Sequence, residues 1–193
     1  MSLQTALQGP VEQVAARLLG CYLERRLDGQ TMLVKIVETE AYHQSDAASH
    51  SYKGKTERTR VMFGPAGHLY VYFTYGLHYC CNVVAGPVGE GSAVLIRAVE
   101  PVRGTELIEA RRGKTGITAT NGPAKVCQAL GIDKQLNGHE LSRPPLVLRI
   151  NPPLAPSTIA QTTRIGISRA KDVPWRFYIK DNPYASNPVL AVK

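Results

Sequence analysis

The sequence predicts an α+β protein folded as a single domain, and three features point there. Helical and extended patterns come in mixed order along the chain. At 193 residues, 44% of them hydrophobic, the chain suffices for one sizeable core and is short for two. Two strand-like runs, HLYVYFTY and YCCNVV, flank Gly76 as the arms of a hairpin would. No fixed-period repeat and no low-complexity tract divides the chain, so the expected domain spans residues 1–193.

Along the chain, PVEQVAARLLG (10–20) comes first and sets Val11, Val14, Ala15, Leu18 and Leu19 at helical spacing, with Pro10 at the start and Gly20 at the stop. TMLVKIVETEAY (31–42) is β-branched and apolar before turning acidic, as a strand does when it leaves a core for a rim. The hairpin about Gly76 comes next, with Leu69, Val71 and Phe73 on the packed side and Tyr70, Tyr72 and Thr74 on the other. SAVLIRAVEP (92–101) reads as a strand that Pro101 ends. PAKVCQALG, bracketed by Pro123 and Gly131, is a short helix, and LVLRI, RIGIS and RFYIK read as later strands. Residues 112–122 and 151–163 read as loops too short to separate domains.

Composition restricts the function classes. There are 23 Lys+Arg against 15 Asp+Glu, a formal net charge of +8 and a pI of about 9.5, which favours a polyanionic partner such as nucleic acid or an acidic membrane surface. Cys21, Cys80, Cys81 and Cys127 contain no CxxC, so neither a zinc site nor a disulfide framework is expected. With no charged-then-apolar leader and no apolar run near the roughly 18 residues of a membrane span, a cytoplasmic protein without membrane contact is expected.

Four groups of residues stand out chemically. Side chains two apart share a strand face, so Val34, Ile36, Glu38 and Glu40 are expected to point the same way, ending one apolar stripe in two carboxylates. Either glutamate suits a general base, because partial burial tunes its proton affinity, and spacing does not choose between them. Arg97, sharing parity with Ala93, Leu95 and Val99, needs a carboxylate partner if buried, which points to Glu38 or Glu40. SHSYKGKTERTR (49–60) interleaves Lys53, Lys55, Arg58 and Arg60 with Gly54, Thr56 and Thr59, a composition suited to phosphate contacts or to an ordinary solvated loop. Tyr75, at the expected hairpin tip, would be an exposed aromatic beside basic residues, able to stack on bases or wedge between them.

Together, VETEAY (37–42), DAASHS (46–51), GHLYVYFTYG (67–76), CCN (80–82), LIRAVEP (95–101), NGPAKVCQALGI (121–132), RIGIS and RFYIK resemble the alkyladenine (3-methyladenine) DNA glycosylase family of mammalian and bacterial type. The resemblance runs from about residue 8 to 188 and implies a single mixed domain with a curved antiparallel sheet, a protruding β-hairpin and flanking helices. It implies that Glu40 is the general base activating water, with Glu38 structural and Arg97 pairing with the base. Tyr42, His50 and Tyr72 match the walls around an extruded base, and Asn82 matches the floor that rejects guanine's exocyclic amine. Tyr75, before Gly76, looks like the wedge that replaces the extruded nucleotide. Thr56, Arg58 and Lys125 are candidate phosphate contacts. Leu77 and His78 depart from the vertebrate pattern just after the wedge.

The activity implied is monofunctional removal of alkylated or deaminated purines from double-stranded DNA, without metal or other cofactor, by a monomer at the bacterial nucleoid. Two rivals remain: a non-catalytic damaged-DNA-binding protein, and a metal-dependent nuclease built on Glu38, Glu40 and His43.

Overall fold

The computed structural model describes residues 2–74 and 76–186. They form an α+β fold in which helices α1 (Leu3–Ala6), α2 (Val11–Arg17), α3 (Thr105–Arg112) and α4 (Pro123–Leu130) accompany one antiparallel sheet. Its strands are β1 (Tyr22–Leu27), β2 (Gln30–His43), β3 (Leu69–Thr74), β4 (His78–Val84), β5 (Ser92–Arg103), β6 (Leu146–Arg149), β7 (Ile159–Thr162) and β8 (Arg176–Ile179). The spatial order is β3-β4-β5-β2-β1-β6, and β8 pairs with the second half of β2 and with β7. Among the described residues no helix is long and apolar enough to cross a membrane.

The helices form where the sequence chemistry demands. Val11, Val14 and Ala15 of α2 are buried together with Leu18 and Leu19 beyond it, although the helix proper stops at Arg17 rather than reaching Gly20. Pro123 opens α4, where its missing N–H costs nothing, and Gly131 closes it in the left-handed region at φ 58°. One continuous core joins residues from α2, α4 and the sheet, and a smaller cluster of Met62, Phe63, Tyr70, Val84 and Ala93 lies apart from it.

The two long central strands break register in a compensating way. Ile36 opposes Val99, Glu38 opposes Ala98 and Thr39 opposes Ile96, so Val37 of β2 and Arg97 of β5 are each skipped in the ladder. Each skip reverses the facing of the residues after it. Val34 and Ile36 therefore lie in the main core, as do Ala41 and, across the pairing, Val94, Ile96 and Val99, while Glu38 and Glu40 point to the opposite face. This corrects the expectation of one stripe from Val34 to Glu40. An uninterrupted strand would have driven both carboxylates into the helix-packed core.

Other departures have equally local causes. β5 runs through Pro101 to Arg103, because β4 pairs only with Ala93–Leu95 and the missing N–H faces an edge without a ladder. RIGIS is a loop: Gly166 has φ 75°, and the Ile165 N–H goes to a side chain instead of a neighbouring strand. β7 instead falls at the end of the expected 151–163 loop. Phe73 is 52% exposed, since its end of the hairpin projects beyond the core and leaves it only Tyr79, at 5.2 Å between ring centroids, to pack on. Strand β1 and helix α3, both rich in charged residues, carry no apolar periodicity that would announce them.

Candidate active site

Alternation along four strands builds the site. Leu69 and Val71, Cys81 and Val83, Val94 and Ile96, and Ala41 belong to the main core. Their neighbours Tyr70 and Tyr72, Cys80 and Asn82, Leu95 and Arg97, and Glu40 and Tyr42 line one cleft of about 580 Å³ on the other face. Ala47 to His50 and the loop Ile165–Arg169 complete its rim. All six residues expected to act on the base, Glu40, Arg97, Tyr42, His50, Tyr72 and Asn82, are thus gathered around one space.

The two carboxylates are both fully buried, yet they differ in what remains free. Glu38 Oε1 accepts from Arg176 Nε at 2.5 Å and lies 3.1 Å from Arg97 Nε. Its Oε2 accepts from both the backbone N–H (2.6 Å) and the hydroxyl of Ser186. Both oxygens are thus engaged, and Glu38 does not line the cleft. Glu40 does line it: Oε1 accepts from the Ile165 N–H at 2.9 Å and lies 3.4 Å from Arg97 Nη1, while Oε2 accepts only the Tyr42 hydroxyl at 2.8 Å. Burial, with the neighbouring Glu40 charge, pushes the Tyr42 hydroxyl well above its ordinary pKa, so it stays protonated and donates. The Arg97 Nε–H is buried and aimed at neither carboxylate.

Aromatic rings make the walls. Tyr72 stacks on Tyr70 at 5.6 Å, and the His50 ring stands edge-on to Tyr72 at 4.6 Å with Nδ1 3.1 Å from the Tyr70 hydroxyl. His50 is exposed as a residue, yet the side of its ring turned to these tyrosines is desolvated, and that burial, followed by the charge of Arg58, lowers its pKa to about 4. Burial raises the Tyr72 hydroxyl and lifts the Cys80 thiol to about 11, so both are neutral hydrogen-bonding groups near neutral pH. Asn82 is buried, its Nδ2 donating at 3.4 Å to the Tyr70 carbonyl.

The expected DNA contacts lie outside this space. Arg58 is exposed, its guanidinium carbon 5.9 Å from the Tyr72 ring centroid. Thr56 is exposed and bonds Thr59 within its own turn, and Lys125 donates to Asn121 at 2.6 Å. Gly76 sits at the exposed hairpin tip with φ 68°, a conformation that favours glycine, followed by Leu77 at 78% exposure. Tyr75 lies outside the described residues. His43 is engaged by Glu90 and Ser45 rather than by either buried glutamate. The loop carrying Ile165 escapes a reading of the sequence because its apolar alternation imitates a strand; Gly166 is the one signal against that.

Comparison with known proteins identifies the family. A family model described as methylpurine-DNA glycosylase matches residues 5–183. A Carboxydothermus hydrogenoformans protein named "Putative 3-methyladenine DNA glycosylase" is 54% identical over 175 residues, covering 90% of this chain and 92% of its own length. Proteins of the same name from Methanoculleus marisnigri and Francisella tularensis are 54% identical over 177 residues and 47% identical over 189 residues. They cover 90% and 96% of this chain, and 92% and 98% of their own lengths.

Proposed function

The chain belongs to the methylpurine-DNA glycosylase family, and from that membership we propose that it hydrolyses the N-glycosidic bond of alkylated or deaminated purines extruded from double-stranded DNA. Its substrates are 3-methyladenine, hypoxanthine and ethenoadenine, and its product is an abasic site in an uncut strand, the first step of base excision repair. The observation that carries this reading is Glu40, a buried carboxylate on the cleft with one oxygen only half used.

Glu40 takes a proton from water as the water oxygen bonds to the anomeric carbon and the bond to the purine nitrogen breaks, its electron pair leaving with the base. The same carboxylate stabilises positive charge developing on the sugar. Arg97 holds Glu40 and the water. Tyr42, His50 and Tyr72 flank the base, where a cationic alkylpurine gains roughly 0.5–2 kcal/mol from each tyrosine ring. Asn82 at the floor excludes guanine. Tyr75 fills the vacated position in the duplex, Gly76 allows the tight tip, and Thr56, Arg58 and Lys125 contact phosphates. The enzyme works as a monomer in the cytoplasm, at the nucleoid, and needs no metal.

The test is a duplex carrying one hypoxanthine, incubated with enzyme and then heated in alkali. Wild type breaks the strand at the lesion only after alkali, with or without EDTA, and Glu40→Gln leaves it intact. Breakage without alkali, or activity that survives Glu40→Gln, overturns the assignment. Binding without base release would instead favour the non-catalytic damaged-DNA-binding reading.

A further inference from the structure

Arg164 is an arginine with no exposed side-chain surface, and none of the chemistry above uses it. It does not line the cleft, yet it touches nearly everything that shapes one side of it. Both guanidinium nitrogens reach Asp46 in a bidentate pair: Nη1 donates to Oδ2, and Nη2 to Oδ1 at 3.0 Å. Nη1 also donates to the Ala41 carbonyl at 2.9 Å and Nη2 to the Ala170 carbonyl at 3.4 Å. The guanidinium carbon stands 4.8 Å from the Tyr42 ring centroid and 5.5 Å from that of Trp175. Tyr42 lines the cleft and Arg164 does not, so the cation lies behind the ring.

The next residue in the chain makes the connection to the chemistry. The Ile165 N–H donates to Glu40 Oε1, and Ile165 to Arg169 form a wall of the cleft. This segment has no strand ladder to hold it, since β7 ends at Thr162. Arg164 supplies the missing attachment to β2, to Asp46 and to Ala170 at the far end of the loop. A lysine could not do this, having neither a planar fork for two carboxylate oxygens nor a flat face for two rings.

We infer that Arg164 is a positioning residue that acts through Glu40 and Tyr42: it locks the 163–170 loop so that the Ile165 N–H and the Tyr42 hydroxyl meet the two oxygens of Glu40. This rests on the glycosylase reading of Glu40. Misplacement of a reacting group by about 1 Å costs on the order of 100-fold in rate.

The experiment measures single-turnover release of hypoxanthine from duplex DNA, lesion-duplex affinity and melting temperature for wild type, Glu40→Gln, Arg164→Lys, Asp46→Asn and the Glu40→Gln/Arg164→Lys double variant. Expected is a roughly 100-fold slower excision by Arg164→Lys with affinity within about threefold of wild type, and no further loss when it is added to Glu40→Gln. Excision at near wild-type rate by Arg164→Lys, or a rate loss matched by an equal loss of affinity, overturns the inference. If Arg164→Lys does not fold, Asp46→Asn decides: slower excision at unchanged affinity supports it, and an unchanged rate overturns it. Failure of the underlying reading is distinct, because Glu40→Gln would then excise like wild type.

Discussion

Glu38 and Glu40, two positions apart and equally hidden from solvent, are separated chemically by their partners. Glu38 accepts from the Arg176 guanidinium and from the backbone N–H and hydroxyl of Ser186, has the Arg97 guanidinium 3.1 Å away and does not reach the cleft, so nothing presents it to water. Glu40 shares one arginine and keeps capacity on Oε2. His50 makes the residue-scale prediction. Its pKa is lowered from 6.5 to about 4, so between those values the unfolded chain binds a proton that the folded one refuses. The contribution of His50 to stability is therefore intact above about pH 6.5 and declines as pH falls towards 4. NMR titration of the ring protons should show His50 still neutral at about pH 6, whereas an ordinary midpoint near 6.5 would mean that the ring is not packed against Tyr70 and Tyr72.

At the scale of elements, the site depends on how segments approach one another. The turn carrying Ser49 to Lys53 is held by Gly91, whose carbonyl accepts from Ser51 at 2.9 Å and whose N–H donates to Gln44 at 2.9 Å. A methyl group there would lie 2.6 Å from both the Phe63 ring and the Ser51 Cβ, closer than carbon atoms can pack. Gly91→Ala should therefore cost about 1–3 kcal/mol of stability by overpacking, read as a lower urea midpoint at unchanged slope. It should also displace His50, next to Ser51, and weaken lesion binding more than binding to undamaged duplex. Equal weakening of both would mean that the turn moves without disturbing the slot. The skipped residues Val37 and Arg97 act at this same scale, since between them they decide which face of the sheet receives the proposed catalytic carboxylate.

For the whole molecule, the sheet separates two tasks. One face packs α2 and α4 and supplies the continuous core; the other carries the cleft. The net charge of +8 belongs to this scale too. Neutralising DNA phosphates releases counterions, so affinity for undamaged duplex should fall along a straight line of log affinity against log salt. If Thr56, Arg58 and Lys125 make the contacts proposed, Arg58→Ala and Lys125→Ala should each flatten that slope by about one unit, since each lost cation frees one phosphate's counterions. Fluorescence anisotropy across a salt series measures it, and an unchanged slope in both variants would place the phosphate contacts elsewhere.

Local pattern alone carried the helices at Val11 and Pro123, the hairpin about Gly76, the strands containing Glu40 and Arg97, and the need of Arg97 for a carboxylate, because each depends on spacing, punctuation or the cost of a buried charge. Tertiary structure decided the rest. A strand's period of two is legible in a sequence, but a skipped residue that inverts it is not, so the facing of Glu38 and Glu40 emerged only from the pairing of β2 with β5. The partners that set those two glutamates apart are likewise distant in the chain, Arg176 and Ser186 for one, Ile165 for the other. Arg164 was hidden inside an apparent strand for the same reason: nothing in RIGIS announces a contact with Asp46, 118 positions earlier. Sequence periodicity reports what neighbouring residues impose on each other, whereas the site is assembled from groups that only folding brings within hydrogen-bonding distance.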